Sequence, residues 1–97
     1  MKIFKNANLT DQITVLDLGI VKAGDSKQFV FYILNNSNAS LKDLIFMVEH
    51  SEVNVIEAPK ELLPNENNKL IIEWNPSITL KEGLKTKLKI TGNELWE

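Results

Sequence analysis

Residues 84–90 read Leu-Lys-Thr-Lys-Leu-Lys-Ile, and this alternation decides the fold class. Leucine, threonine and isoleucine occupy every second position, and lysine fills each position between them. Successive side chains of a β-strand point to opposite faces, so the pattern predicts a strand with one buried face and one solvated, cationic face. Gly92 is predicted to end this strand.

The same period of two recurs along the chain in short runs that end at Gly, Pro, Asn or Asp. For residues 41–49 a short helix is the main alternative, and for residues 12–18 the buried face stays open. The fold predicted is an all-β, immunoglobulin-like antiparallel β-sandwich of about seven strands. The predicted strands cover residues 3–5, 12–18, 28–34, 41–49, 53–55, 69–75 and 84–90.

Length and composition indicate a single folded domain over residues 1–97, with a candidate N-terminal arm over 1–11 and a candidate C-terminal tail over 93–97. The chain is 43% hydrophobic and 25% charged, which is ordinary for a globular domain. It has no cysteine, so disulfides and thiolate metal sites are excluded. No run has the pattern of a signal peptide or the length of a membrane span, and a chain without an export signal is expected.

The charge pattern argues against nucleic acid and membrane partners. Thirteen acidic residues outnumber eleven basic ones, and every basic residue is lysine. A net charge of −2 attracts neither DNA nor an anionic bilayer, and the chain lacks the arginine forks that read guanine edges. The lysines at 85, 87 and 89 are expected to protect a strand edge; contact with an acidic partner or with nucleic acid is the alternative.

Two stretches carry a family resemblance. Residues 16–25 read Leu-Asp-Leu-Gly-Ile-Val-Lys-Ala-Gly-Asp, and an alternating strand that ends in Asn35 follows them. Residues 62–66 read Leu-Leu-Pro-Asn-Glu, and residues 72–76 read Ile-Glu-Trp-Asn-Pro. From residue 16 to 92 the chain resembles the ASH and major-sperm-protein-like group of immunoglobulin folds. That group usually has glycine where this chain has Asn65, and asparagine tolerates the left-handed backbone such a turn needs.

The chain offers few groups for catalysis, and we expect no enzymatic activity, cofactor or metal. His50 is the one histidine, and it is predicted to lie in a loop between two strands. Glu49, His50 and Glu52 lie in a segment predicted to be extended, where neighbouring side chains point to opposite faces and do not converge on an ion. The glycine-rich loops that bind dinucleotides or nucleoside triphosphates are absent from the sequence.

A second apolar face indicates a protein interface. If the alternate residues of 28–34 and 41–49 fill the core, the remaining ones form an outer apolar surface. The alternatives are a reversed parity or coverage by a terminal segment. A tryptophan next to the end either folds back onto the sandwich or anchors a partner. The candidate interface residues are Val30, Tyr32, Leu34, Ile45, Met47 and Trp96.

These features predict a non-enzymatic structural domain that contacts other proteins. Stand-alone domains of the resembled group are similar to small accessory proteins of tailed-phage particles. A capsid decoration or head accessory protein is therefore expected, located in the virion and assembled in the host cytoplasm. A cytoskeletal or scaffold adaptor in the cytoplasm and a carbohydrate-binding module are the alternatives. Self-association into a homo-oligomer is left open.

Overall fold

A computed structural model describes the backbone of residues 1–95 and the side chains of residues 1–94. Over this range the chain is all-β, as predicted, and every strand pair is antiparallel. The nine strands of the described residues are β1 (Lys2–Phe4), β2 (Gln12–Ile13), β3 (Leu16–Gly19), β4 (Lys27–Leu34), β5 (Ser40–Val48), β6 (Val53–Glu57), β7 (Asn67–Trp74), β8 (Leu84–Thr86) and β9 (Leu88–Leu95).

The strands form one large and two small sheets. The large sheet has the order β2-β1-β4-β7-β6, and the small sheets are the pairs β3-β8 and β5-β9. Only Lys87 separates β8 from β9, so one nearly continuous strand pairs with β3 at its start and with β5 over the rest. The small sheets therefore share this strand and are placed together.

All three sheets contribute side chains to one core. Trp74 is fully buried in this core. Phe31 and Ile33 are buried and Phe29 packs against them, so the structure resolves the parity of the β4 strand, which the sequence left open. The other buried members of the core cluster are Leu16, Leu18, Val21, Leu41, Leu44, Phe46, Val53, Leu62, Leu70, Ile72 and Leu84.

The strand count differs from the prediction because two predicted strands each divide. The run 12–18 breaks after Ile13, where the chain leaves the large sheet and enters β3 beside β8. This crossing resolves its open face assignment: Leu16 and Leu18 are buried, and Ile13 and Val15 are only partly buried. The run from residue 84 breaks at Lys87. Residues 41–49 form a strand instead of the alternative helix.

The strand after Lys87 also continues past Gly92, contrary to the prediction that Gly92 ends it. Gly92 lies opposite a bulge in β5, where Asp43 has a φ of 53°. A Cβ on Gly92 would lie 2.7 Å from Leu44 Cδ2. The glycine leaves room for the Leu44 side chain and for the Lys42 carbonyl, and it does not stop the strand.

Asn35 joins two loops at one end of the fold. Its side chain is fully buried, and its Nδ2 donates to the carbonyls of Ala39, Leu62 and Leu63 over 2.8–3.1 Å. Its Oδ1 accepts hydrogen bonds from the backbone N–H and the hydroxyl of Ser37. One amide thus holds the β4–β5 loop against the segment that precedes β7.

The turn at Asn65 has the left-handed backbone expected there, with a φ of 64°. Its N–H donates to the Asn35 carbonyl at 2.8 Å, and Glu66 accepts a hydrogen bond from the Asn35 N–H. Asparagine therefore supports the turn that glycine usually forms in the resembled group, as predicted.

The two candidate terminal segments contain strand residues. Lys2–Phe4 pairs with both β2 and β4, so the candidate arm contributes a strand to the large sheet. Residues 93–95 belong to β9, and Trp96 and Glu97 lie outside the described residues. Within residues 1–95 there is no helix with the length and apolarity needed to cross a membrane.

Candidate protein-interaction surface

Ile45 and Met47 project from the outer face of β5. Their exposed fractions are 58% and 59%, high values for large apolar side chains. They lie directly across from Thr91 and Lys89 of β9. Phe46, between them in sequence, is buried, so the alternation of the strand fixes this pair on the outside. We call Ile45 and Met47, with Lys89 and Thr91, the β5–β9 outer face.

Val30, Tyr32 and Leu34 point outward from the large sheet. Val30 is 43% exposed, and Tyr32 and Leu34 are half-buried. The neighbours of β4 are β1 and β7, and β5 belongs to another sheet. The structure therefore divides the predicted interface residues between two sheets and does not bring them onto one surface. Trp96, the remaining candidate, lies outside the described residues.

The outer face of the large sheet is partly covered at one end. Phe4 pairs with Tyr32 on this face. It is only 6% exposed, although it is not a member of the core cluster. Another part of the chain therefore shields this end, and the most accessible apolar residue of the β4 face is Val30. The β5–β9 outer face is the better exposed of the two.

Exposed lysines border the β5–β9 outer face. Lys85, Lys87 and Lys89 are all exposed and occupy alternate positions of the β8–β9 strand. Glu94 is the one carboxylate between residues 84 and 95. Across the ladders, Lys85 lies opposite Asp17 and Lys87 opposite Glu49, whereas Lys89 lies opposite Met47. Lys89 is therefore the lysine of this region with no carboxylate directly across from it, and it would attract an acidic group.

A groove lies beside β9, with a volume of about 200 Å³. The inward-facing residues of β5 and β9 supply its apolar wall, and the loop after β4 supplies polar atoms. No periodic signal in the sequence marked this groove, because its walls come from segments far apart along the chain. Its lining residues are Met1, Asn35, Ser37, Leu41, Leu44, Ile90, Thr91, Gly92 and Glu94.

His50 lies in the loop between β5 and β6, as predicted. Its Nδ1 accepts a hydrogen bond from the Glu52 N–H at 3.2 Å, and its ring meets the buried Trp74 ring edge-on with centroids 6.3 Å apart. These contacts use the imidazole to hold a turn and to pack against the core.

Glu52 links the same loop to the segment after β7. Its Oε2 accepts a hydrogen bond from the Ser77 N–H at 3.0 Å. The pKa of Glu52 lies below its ordinary value, and the main cause is the hydrogen bond from the Ser77 hydroxyl. Burial raises this pKa, whereas the Ser77 N–H and the nearby His50 lower it further. The carboxylate thus accepts hydrogen bonds within the fold and stays ionised more readily than an isolated glutamate.

Two further observations bear on the alternatives. Within residues 1–94, no aromatic side chain is fully exposed, and Tyr32, the sugar-stacking candidate in that range, is half-buried. In the same part of the chain, no group of three or more His, Asp or Glu side chains is placed to hold a metal ion.

Comparisons of the chain with protein-family models, with curated proteins and with solved structures gave no match.

Proposed function

We propose that this chain is a non-enzymatic structural domain whose work is contact with other proteins. The observation that carries the proposal is the β5–β9 outer face, where the neighbouring side chains of Ile45 and Met47 are exposed to solvent. Exposed apolar side chains that are adjacent and bordered by polar residues are typical of protein interaction sites. The lysines beside them favour a partner with acidic groups.

The size of this face suits a repeated contact. Burying two large apolar side chains contributes about 1.5–3 kcal/mol each, and association costs consume much of that gain. A single contact of this kind is weak. Copies of the chain that are joined to one another, as in a homo-oligomer, would bind a repeated lattice with avidity. The finer proposal is therefore a small virion component, such as a capsid decoration or head accessory protein.

The finer proposal rests on the sequence resemblance, and a cytoplasmic adaptor or scaffold domain is the alternative within the same class. Size fractionation of the native source, with the chain quantified by mass spectrometry, separates them. Co-migration with a very large particle at fixed, high copy number supports the virion component. Migration as a free 11 kDa chain would contradict it.

The outer face itself is tested by the double substitution Ile45→Glu with Met47→Glu. Both side chains are exposed, so the free energy of unfolding should change by less than about 1 kcal/mol. Binding to the particle or partner identified by fractionation should weaken at least about tenfold. The control is Val30→Glu, which places one of the two added charges on an exposed position of the other sheet.

The control and the double variant distinguish the two faces. Unchanged binding by the Ile45/Met47 variant together with loss of binding by Val30→Glu would move the contact to the large sheet. Unchanged binding by both variants would contradict the proposal that either apolar face makes the contact.

A further inference from the structure

We infer that the free edge of β9 binds an extended acidic segment of a partner protein by β-strand addition. The inference rests on the proposed function, because it assumes that the chain contacts other proteins. It concerns a different part of the molecule from the β5–β9 outer face. The edge supplies main-chain hydrogen bonds, and the outer face supplies side-chain contacts.

The edge is open over eight residues. β9 pairs with β5 on one side only. Among the described residues, the backbone groups of 88–95 bond to no backbone group outside β5. β3 does not cover this edge, since it pairs with Leu84–Thr86. A row of unpaired N–H and C=O groups is a ready template for an added strand.

The alternation of the ladder shows which groups are free. The Lys87 carbonyl accepts a hydrogen bond from the Glu49 N–H and so faces β5. Successive residues of a strand turn their backbone groups to opposite sides. The bulge is on β5, so β9 keeps its alternation through the irregularity. The free groups therefore belong to Leu88, Ile90, Gly92 and Glu94.

Other edges of the fold are protected in ways that β9 is not. β2 is two residues long, and β6 has a bulge between Val55 and Glu57 and is soon followed by Pro59. The outer edge of β5 is occupied in part, because Leu41 pairs with Leu62 and the Leu44 N–H donates to the Lys60 carbonyl. Short edges, bulges, prolines and lysines are the usual protections against strand addition. β9 has only the lysines, which repel another cationic strand and leave the edge open to an acidic one.

The groove explains how an added strand would gain specificity. Ile90 and Glu94, whose backbone groups face the free edge, also line the groove. A strand laid along β9 would direct alternate side chains towards Leu44 and Ile90. The groove has a volume of about 200 Å³, which admits aliphatic side chains. The inward-facing positions of the partner segment should accordingly be valine, isoleucine or leucine.

Charge selects the partner chemistry. The outward-facing positions of the added strand would lie beside Lys87, Lys89 and Thr91. Lys87 already lies opposite Glu49, but Lys89 lies opposite Met47, so aspartate or glutamate fits beside Lys89. A second copy of this chain fits less well. An antiparallel β9–β9 pair about a two-fold axis would place the lysines of both copies on one face, where like charges repel. The expected occupant is an extended segment that alternates acidic and aliphatic residues.

Amide hydrogen exchange on the free protein tests the edge directly. The amides of Leu88, Ile90 and Glu94 should exchange rapidly, and those of Lys89 and Thr91 should be protected by β5. This internal comparison needs no ligand. Protection of all five amides in the monomer would show that the edge is closed and would overturn the inference.

Binding is tested with a short capped peptide that alternates glutamate and valine, followed by NMR. The peptide should protect the three free amides and shift their resonances, and the same peptide with lysine for glutamate should bind at least about tenfold more weakly. Equal binding of the two peptides would overturn the acidic specificity. Dimerisation through β9 without peptide would make a second copy the occupant.

Two substitutions at Glu94 separate the edge from its charge. Glu94→Pro removes an N–H that faces the free edge, and Glu94→Thr removes the same charge but keeps that N–H. The proline variant should bind the acidic peptide at least about tenfold more weakly than the threonine variant. Thermal melting should show that both variants are folded. Equal binding would overturn strand addition.

These experiments are independent of the test of the outer face. If the Ile45/Met47 variant keeps its partner while the peptide binds β9, the edge survives and the outer face fails. If the acidic peptide leaves the amides of β9 unprotected, the edge fails and the proposed function still stands or falls on the outer-face variants.

Discussion

At the scale of single residues, the most consequential side chain of this fold is the buried amide of Asn35. Replacing Asn35 by aspartate keeps the shape of the side chain but puts an oxygen against the three carbonyl groups that accept hydrogen bonds from Nδ2 in the wild-type chain. The variant loses three donated bonds and buries a charge without a partner. We expect the free energy of unfolding to fall by about 3–5 kcal/mol, measured by urea denaturation.

The neighbouring residue provides the control. Asn36 is exposed, and Asn36→Asp makes the same chemical change one position along the chain. Its expected effect is within about 0.5 kcal/mol of zero. Similar losses from the two variants would show that added charge, and not the Asn35 hydrogen bonds, controls stability at this loop.

Residue-level properties were predictable where they depend on nearest neighbours. The alternation around Phe31 predicted the strand and its two apolar faces, and the tolerance of asparagine for a left-handed backbone predicted the turn at Asn65. The role of Asn35 was not predictable. Two of the carbonyls it binds, on Leu62 and Leu63, are 27 and 28 residues away, and local sequence carries no record of that distance.

At the scale of elements, two glycines with similar backbones should respond differently to alanine. Gly83 has a φ of 79°, and a Cβ on it would lie 2.8 Å from the Gly19 carbonyl oxygen. Gly83→Ala thus adds a clash between β3 and the start of β8 to the strain of a left-handed backbone. The expected loss is about 2–5 kcal/mol in the free energy of unfolding.

Gly24 isolates the contribution of the backbone alone. It has a φ of 87°, but a Cβ there would meet no atom within 4 Å. Gly24→Ala should therefore cost only about 1–2 kcal/mol, measured by the same denaturant titration. Equal losses for the two variants would mean that the loop before Leu84 moves away from Gly19 without cost.

Strand positions were predictable from the period of two, and strand breaks were not. The predicted strands at 28–34 and 41–49 match β4 and β5 within one residue at each end. The run 12–18 keeps its apolar residues through the break, because both of its halves contact apolar surfaces in different sheets. Only the sheet assignment reveals the break, and that depends on contacts distant in sequence.

At the scale of the whole molecule, the missing information was which strands share a sheet. Period and composition offered Val30 and Ile45 as outward residues for one of two possible parities, and both are exposed. They did not reveal that β4 pairs with β1 and β7, or that β5 pairs with β9. A single candidate interface therefore became two separate faces, and the open edge of β9 emerged only from the pairing.

The response of the whole molecule to acid depends in part on Glu52, which links the loop before β6 to the segment after β7. Hydrogen bonds from Ser77 lower its pKa in the folded state below the ordinary value of 4.5. The unfolded chain then binds the proton more tightly than the folded one. The stabilisation is fully present above pH 4.5 and is lost as the pH falls through the folded pKa.

Glu52→Gln should remove this part of the acid sensitivity. The difference in unfolding free energy between wild type and variant should be largest near neutral pH and should shrink as the solution is acidified below pH 4.5. Ser77→Ala removes the hydroxyl but keeps the backbone N–H. In the Ser77→Ala background, the pH-dependent difference in unfolding free energy caused by Glu52→Gln should therefore be smaller but not zero. Urea titrations at several pH values measure both effects, and combining the two substitutions tests their coupling. Additive losses in the double variant, or a difference that grows on acidification, would show that the Glu52–Ser77 contact does not stabilise the folded chain.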